Sequence, residues 1–357
     1  MNTTLTDKTI LVTGGTGSIG SEIVNQALTA GARKVIVFSR DEIKHFLMKK
    51  RIQDSRLSTV VGDIRDMRSL EYVYGKANID IVYHAAAMKH VVMCEEFPSE
   101  AVKTNILGTQ NVVDLAVEHN VKKMITINTD KSASPVCVMG ASKFIAEKIT
   151  LNANSVQPER QCFSCVRFGN VANSRGSVIP VYIDNLLHRK PLQVSNPDVT
   201  RFVMEIPDAV RLIMQSTQYA RGGEVFILKM RAFRLGDLVD VITNRIAPRL
   251  GLTTRDVVIN MSGLVEGEKL HEDLISGSEC SRIYEFNDMY ILMPHNQMEA
   301  QSWNNGLTRT NLCQYSSNDV ELLSKDAIEE IAEKYLQKEV SGAFSSVRDR
   351  KYSLALL

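Results

Sequence analysis

The chain has 357 residues, 44% of them hydrophobic and 23% charged, and a formal net charge of +1. That is enough apolar material for one large core or two that share it, and the charge balance gives no footing for nucleic acid or an anionic membrane surface. Its six cysteines (Cys94, Cys137, Cys162, Cys165, Cys280 and Cys313) show neither a disulfide framework nor metal-ligand spacing, and no apolar run is long enough to span a bilayer, so a reducing cytosolic setting is expected, with no metal and no membrane partner.

The N-terminus runs straight into a short apolar run, Thr9 to Val12, with no leader pattern before it. A glycine cluster, Thr13-Gly14-Gly15-Thr16-Gly17-Ser18-Ile19-Gly20, follows it. Ser21 to Ala30 then places Ile23, Val24, Ala27 and Leu28 at helical spacing, with Gly31 as the stop. Lys34 to Phe38 reads as a second buried strand, Asp41 to Ile52 as a helix, Ser58 to Val61 as a third strand and Ile79 to His84 as a fourth. Ser99 to His119 carries a long helical pattern, Lys123 to Ile127 a fifth strand, Lys143 to Asn152 a helix and Cys162 to Arg167 a sixth strand. Cys162-x-x-Cys165 lies within that strand pattern and reads as two buried small residues rather than a redox pair. Beyond Phe168 the text is turn-rich, with helices near Pro207–Tyr219 and Leu235–Leu250 and an amphipathic helix from Ser324 to Lys338.

Continuous apolar strands alternating with helices specify an α/β protein. Its parallel sheet is covered on both faces and, by the right-handed crossover rule, doubly wound. In such a sheet the glycine turn between first strand and first helix is a phosphate cradle. Gly14 makes the tight turn, Gly17 lets backbone approach a pyrophosphate, Gly20 lets helix pack on strand, and the helix dipole faces the anion. Thr16, Ser18 and Ile19 border the same cradle. The second strand ends in Ser39-Arg40 without an acidic residue, which favours a 2′-phosphate and so NADP; the alternative for Arg40 is a solvated charge. Asp63, followed by Ile64, stands where it would accept from an adenine amine, and the small Ala85, Ala86 and Ala87 let a cofactor lie against backbone.

Thr129, Asp130 and Lys131 end the fifth strand, at the carboxyl edge where open α/β sheets do their chemistry. At a strand end the chain is turning, so adjacent side chains are expected to face one pocket. Met139-x-x-x-Lys143 follows closely. This stretch resembles the catalytic segment of a short-chain dehydrogenase with methionine in the usual tyrosine position.

The resemblance narrows along the chain. Lys89-His90-Val91, Thr104-Asn105, Gly108-Thr109, Thr129-Asp130-Lys131-Ser132, Arg167-Phe168-Gly169-Asn170-Val171, Gly176-Ser177-Val178-Ile179-Pro180, Thr200-Arg201-Phe202 and Gly267-Glu268-Lys269-Leu270 recur in the order found in the UDP-N-acetylglucosamine 4,6-dehydratases of polysaccharide biosynthesis. These belong to the extended short-chain dehydrogenase/reductase superfamily. The likeness runs from about Thr9 to about Ile328 and departs at Val265-Glu266, where an Arg-Pro pair often precedes the glycine.

The resemblance implies a Rossmann-like NADP domain over 1–172 with return segments around 205–245. It implies a smaller substrate-binding domain from 173–204 and 246–330, and a C-terminal helix and tail over 331–357. It implies a UDP-N-acetylhexosamine substrate, transient oxidation at C4, Lys131 as base at C5, Asp130 as acid at the C6 hydroxyl, Thr129 on the C4 oxygen and Lys143 on the nicotinamide ribose. The product is a 4-keto-6-deoxy sugar nucleotide; configuration at C5 is open between retention and inversion. Asn170, Val178, Arg201 and Glu268 fall on the UDP half, with Arg201 the phosphate candidate or else a salt-bridge partner. Lys89 and His90 border the sugar, and His90 reads equally as a structural histidine. The C4 hydroxyl proton leaves through Lys131, a water or Thr129. A homo-oligomer is the family's habit. The alternatives are a UDP-sugar 4-epimerase or ketoreductase, which needs the missing tyrosine, and a catalytically silent NADP-binding protein.

Overall fold

A computed structural model describes residues 4–157, 160–174, 176–294 and 306–337. The tail of the expected C-terminal unit, 338–357, lies outside the described residues.

Six strands, β1 (Thr9–Thr13), β2 (Lys34–Ser39), β3 (Leu57–Val61), β4 (Ile81–His84), β5 (Lys123–Thr129) and β6 (Cys162–Phe168), form the heart of a ten-stranded sheet. They lie in the order β3-β2-β1-β4-β5-β6, all parallel, so the order reverses between β1 and β4. That reversal opens a crevice at the carboxyl edge. Alternation along β1 explains why the sheet is covered twice. Ile10 and Val12 pack on Ile23, Val24 and Ala27 of helix α1 (Ser18–Thr29), while Leu11 joins Val82, Val112 and Met124 on the other face.

Past β6 the sheet continues where the sequence shows little regularity. Val225–Leu228 adds parallel to β6, then Met289–Leu292, Ile283–Phe286 and Thr308–Arg309 add antiparallel to one another. The sequence reading places 246–330 with the smaller unit, whereas 283–292 and 308–309 belong to the large sheet. The smaller unit has its own core, in which Ile179, Ile183, Leu238, Ile242, Ile328 and Ala332 pack together. The helix over 325–337 supplies the last two and so is part of this unit.

The long helix expected from Ser99 runs from Pro98–Ala101 through a π-helical turn, Val102–Leu107, into Gly108–Glu118. That wide turn carries Thr104 and Asn105. Asn105 accepts from the Met88 N–H, donates to the Met88 carbonyl, and reaches Ser142. It thus ties the loop after β4 to the Val138–Asn152 helix. No helix among the described residues is long and apolar enough to cross a membrane.

Candidate active site

The crevice is a cavity of about 800 Å³. Its first wall is the turn from β1 into α1. Gly14 sits at φ +66°, and a Cβ there would lie 2.7 Å from the Ala86 backbone. A Cβ on Gly20 would fall 2.4 Å from the Gly14 carbonyl oxygen. Both glycines are therefore required for the turn to close on Ala85–Ala87, and the resulting floor is backbone, not side chain. Gly17 caps α1 without a side-chain bond, which leaves the positive end of the helix dipole open to the cavity beside Thr16, Ser18 and Ile19. This backbone cradle, filled by any added Cβ, suits a pyrophosphate.

At the far end of that wall the Ser39 hydroxyl bridges Thr16 Oγ1 at 2.9 Å and His45 Nε2 at 2.8 Å. Arg40 is 58% exposed beside it, 3.7 Å from Asp63, and Lys44 also lines this end. The Asp63 carboxylate, expected to accept from an adenine amine, lines this end next to Ile64 and is held by Arg65 at 2.7 and 2.9 Å.

Deeper in, β4 ends on His84, whose ring bonds Thr13 and Thr109 at 2.7 and 2.9 Å. Burial, reinforced by Lys143, holds His84 neutral, with its pKa lowered to about 3. Lys143 is buried on the Val138–Asn152 helix and donates to the Ile127 carbonyl at 2.6 Å. Burial lowers its pKa to about 8. One helical turn earlier Met139 also lines the cavity, 5% exposed and packed among Cys94, Ala101 and Cys137.

β5 ends on the catalytic candidates and passes at once into a 3-10 turn, Asp130–Ser132, which does not bring all three side chains to one pocket. Thr129 and Lys131 line the cavity, but Asp130 lies beneath it with 0% exposure. Asp130 Oδ1 accepts from the Thr129 hydroxyl at 2.8 Å, the Lys131 N–H at 2.9 Å and Lys131 Nζ at 3.1 Å. Asp130 Oδ2 is buried without a partner, directed at Gly169, where a Cβ would stand 3.1 Å away. Sequence reasoning requires the amine and the acid to be kept apart or screened; here they touch. Burial works against the Lys131 charge, but Asp130 and Glu272 outweigh it and hold the ammonium above its ordinary range.

On the opposite wall Lys89, His90, Asn170 and Val178 line the cavity. His90 lies against the Gly176 turn, where φ is +75° and a Cβ would meet the imidazole at 2.5 Å. Arg201 and Glu268 do not line it. They pair with each other at 2.8 Å, and the Arg201 guanidinium also donates to the Thr200 and Leu270 carbonyls. The ion pair that was the alternative for Arg201 is present, buried rather than at the surface.

Two residues at the site are not among the sequence candidates, although Thr104 lies in the recurring Thr104-Asn105 motif. Glu272 is 2% exposed and places Oε1 3.1 Å from Lys131 Nζ. Its signal was its place at the end of Gly267-Glu268-Lys269-Leu270-His271-Glu272, two residues past a recognised motif. Thr104 lines the cavity with a buried hydroxyl that has no partner, presented by the π-helical turn. No group of three or more His, Cys, Asp or Glu among the described residues is arranged to hold a metal ion.

Residues 10–294 match the family model described as polysaccharide biosynthesis protein. The chain is 41% identical over 326 residues to an uncharacterized membrane protein of Methanocaldococcus jannaschii, covering 91% of this chain and 95% of that one. It is 36% identical over 290 residues to the UDP-N-acetylglucosamine 4,6-dehydratase (inverting) of Campylobacter jejuni, covering 80% and 83%. A UDP-glucose 4-epimerase of Rickettsia canadensis is 32% identical over 348 residues, covering 94% and 99%. Among solved structures, Pen from Bacillus thuringiensis superposes with a TM-score of 0.84 at 34% identity, covering 93% of this chain and 98% of that one.

Proposed function

The chain belongs to the polysaccharide biosynthesis protein family, and from that premise we propose that it is an NADP-dependent UDP-N-acetylglucosamine 4,6-dehydratase that yields a UDP-4-keto-6-deoxy-N-acetylhexosamine. The observation that carries this reading is one contact. Lys131, on the cavity wall, touches Asp130, buried behind it, at 3.1 Å, while the position that serves as a proton-exchanging tyrosine in alcohol oxidation holds Met139. Reversible oxidation alone needs one hydroxyl acid/base. An amine paired with a carboxyl group suits removal of a carbon-bound proton and protonation of a departing hydroxyl.

NADP, when bound, supplies acceptance of a hydride from C4 and its return to C6. The Gly14–Gly20 turn would hold its pyrophosphate, Arg40 and Ser39 its 2′-phosphate, and Lys143 its nicotinamide ribose. A Lys143 ammonium beside C4 also favours the alkoxide-like character that develops there.

The resting pair is ionic, so both of its roles come from one transfer. A proton moves from Lys131 Nζ to Asp130 Oδ1 and leaves a neutral amine facing the cavity and a protonated acid behind it. A sugar closing over the site excludes water from the pair, which penalises two charges more than two neutral groups. As C4 is oxidised a water carries off its hydroxyl proton; Lys131 takes the C5 proton, the C6–O bond breaks, and the proton held by Asp130 passes through the Thr129 hydroxyl to leave with the C6 hydroxyl as water. Lys131 returns its proton to C5 as C6 is reduced, and solvent then restores the proton that Lys131 lacks. Thr129, whose hydroxyl bonds Asp130, lines the cavity and links the buried acid to it.

The likeness to a UDP-glucose 4-epimerase supports a second reading, C4 epimerisation without loss of water. Incubation with UDP-N-acetylglucosamine and NADP, followed by mass spectrometry of the sugar nucleotide, separates the two. Loss of one water is the expected result; an isomer of unchanged mass, or unreacted substrate, overturns the dehydratase assignment. In heavy water, NMR of the product reads the configuration at C5.

A further inference from the structure

Glu272 enters the site from the segment that leads into the Asp273–Ile275 strand. Its backbone is fixed from both sides, since its N–H donates to Ser317 Oγ and its carbonyl receives the Ser317 N–H. Its carboxylate is used unequally. Oε1 lies 3.1 Å from Lys131 Nζ and 4.0 Å from Arg201 Nε, whereas Oε2 is buried with no partner. Lys131 Nζ therefore sits between two buried carboxylates, Asp130 on one side and Glu272 on the other, each at 3.1 Å. Asp130, Lys131 and Arg201 act on Glu272, and Glu272 acts in turn on Cys137, which also feels Lys131 and Glu95.

We propose that Glu272 is a positioning residue for the proton transfer, anchoring the Lys131 amine at the cavity wall and setting how readily that amine gives up its proton. The inference rests on the reading of Lys131 as the base at C5.

Asp130 alone would draw the amine back towards the proton it has just surrendered. A second acceptor keeps Nζ in place, because a neutral amine still donates to Oε1. As an anion, however, Glu272 also stabilises the ammonium and opposes the transfer. Protonation on the unpartnered Oε2 removes that opposition and leaves Oε1 as an acceptor. Burial, with Asp130 adding to it, pushes Glu272 towards the protonated form against the pull of Lys131 and Arg201. In that form a neutral Glu272 holds a neutral Lys131 without opposing the transfer.

Glu272→Gln mimics that form. In the full chain labelled with carbon-13 at lysine Cε, the Lys131 resonance is assigned by its disappearance in Lys131→Arg. Its titration midpoint is expected to fall by about one unit or more in Glu272→Gln, a tenfold easier deprotonation. This measurement needs no turnover. Glu272→Asp, which withdraws the carboxylate by one methylene, should also lower the midpoint, and it serves if the Gln variant does not fold. An unchanged Lys131 midpoint in whichever variant folds overturns the inference. A shifted midpoint in a protein that releases no water upholds the Glu272–Lys131 coupling and refutes the dehydratase reading instead.

Discussion

Lys143 Nζ donates to the Ile127 carbonyl across 2.6 Å from a position that is 6% exposed. That contact satisfies one of the three N–H groups of an ammonium, and burial lowers the pKa from 10.5 to about 8. The unfolded chain holds this proton more tightly than the native one, so native stability rises as pH climbs from about 8 to 10.5. Below that window the full cost of burying the charge, about 3 kcal/mol, is present. Urea unfolding without dinucleotide should show this upward slope, and Lys143→Met should remove it. Equal slopes for the two proteins would mean that the native amine keeps its ordinary affinity for the proton.

The Gly14 turn predicts a binding defect. A methyl group there meets the Ala86 backbone at 2.7 Å while φ remains at +66°. Backbone strain of this kind costs about 1–3 kcal/mol, and opening the turn to relieve it displaces the phosphate cradle. Gly14→Ala should therefore lower Tm and weaken NADP binding in a calorimetric titration. A variant that binds as tightly as the parent would remove the pyrophosphate from this turn.

Arg167 links the Val138–Asn152 helix to the segment that follows Glu272. It is 0% exposed and grips Glu147 at 2.6 and 2.8 Å and Glu279 at 2.8 and 2.9 Å. Asn128 adds a bond to Glu147 at 2.8 Å. Truncating one member of a buried ionic cluster costs about 3–5 kcal/mol, largely because its partners stay charged and unpaired. Arg167→Met should lose stability of that order by urea unfolding. Adding Glu147→Gln and Glu279→Gln should recover much of it, since the abandoned charges are then gone.

The difference between what could and could not be read beforehand is visible at this cluster. Strands β1, β2, β4 and β5 are buried on both faces, so their apolar runs are continuous and their helices lie in chain order. Asp130, Lys131 and Lys143 share one short stretch, and their nearness is written in the numbering. Glu272 and Glu279 reach Lys131 and Arg167 from a distant segment, and no local pattern records such a meeting. The antiparallel strands Ile283–Phe286 and Met289–Leu292 are four residues each and fall beyond Phe168, where the sequence reading assigns no strands. The burial of Asp130 has a smaller reason: Thr129 is still extended, so Asp130, the first residue of the 3-10 turn that follows, points away from the cavity that Thr129 lines.

That placement shapes what the Asp130 and Lys131 substitutions should do. Asp130→Asn keeps the size and a carbonyl acceptor for Thr129, but it cannot deliver a proton. Lys131→Ala removes the only member of the pair on the cavity wall. Each should lower kcat for water loss by about 10²–10⁴-fold with NADP binding retained. In heavy water, Lys131→Ala should also stop incorporation of deuterium at C5. Near-normal turnover in either variant would end the assignment of these two residues.

Met139 decides whether the missing tyrosine means a lost activity or a different one. Its side chain packs against Cys94, Ala101 and Cys137, and it has no proton to exchange. If it only fills this space, its shape matters and its sulfur does not. Met139→Leu conserves volume and should cost under about 1.5 kcal/mol with turnover intact. Met139→Ala leaves a void one helical turn from Lys143 and should cost about 2–5 kcal/mol, with turnover falling through Lys143 rather than through chemistry at residue 139. Stability and kcat measured on both variants separate the cases. A Leu variant that folds as the parent does yet releases no water would give the thioether a direct part in the reaction, and the C4 proton would need a route that passes it.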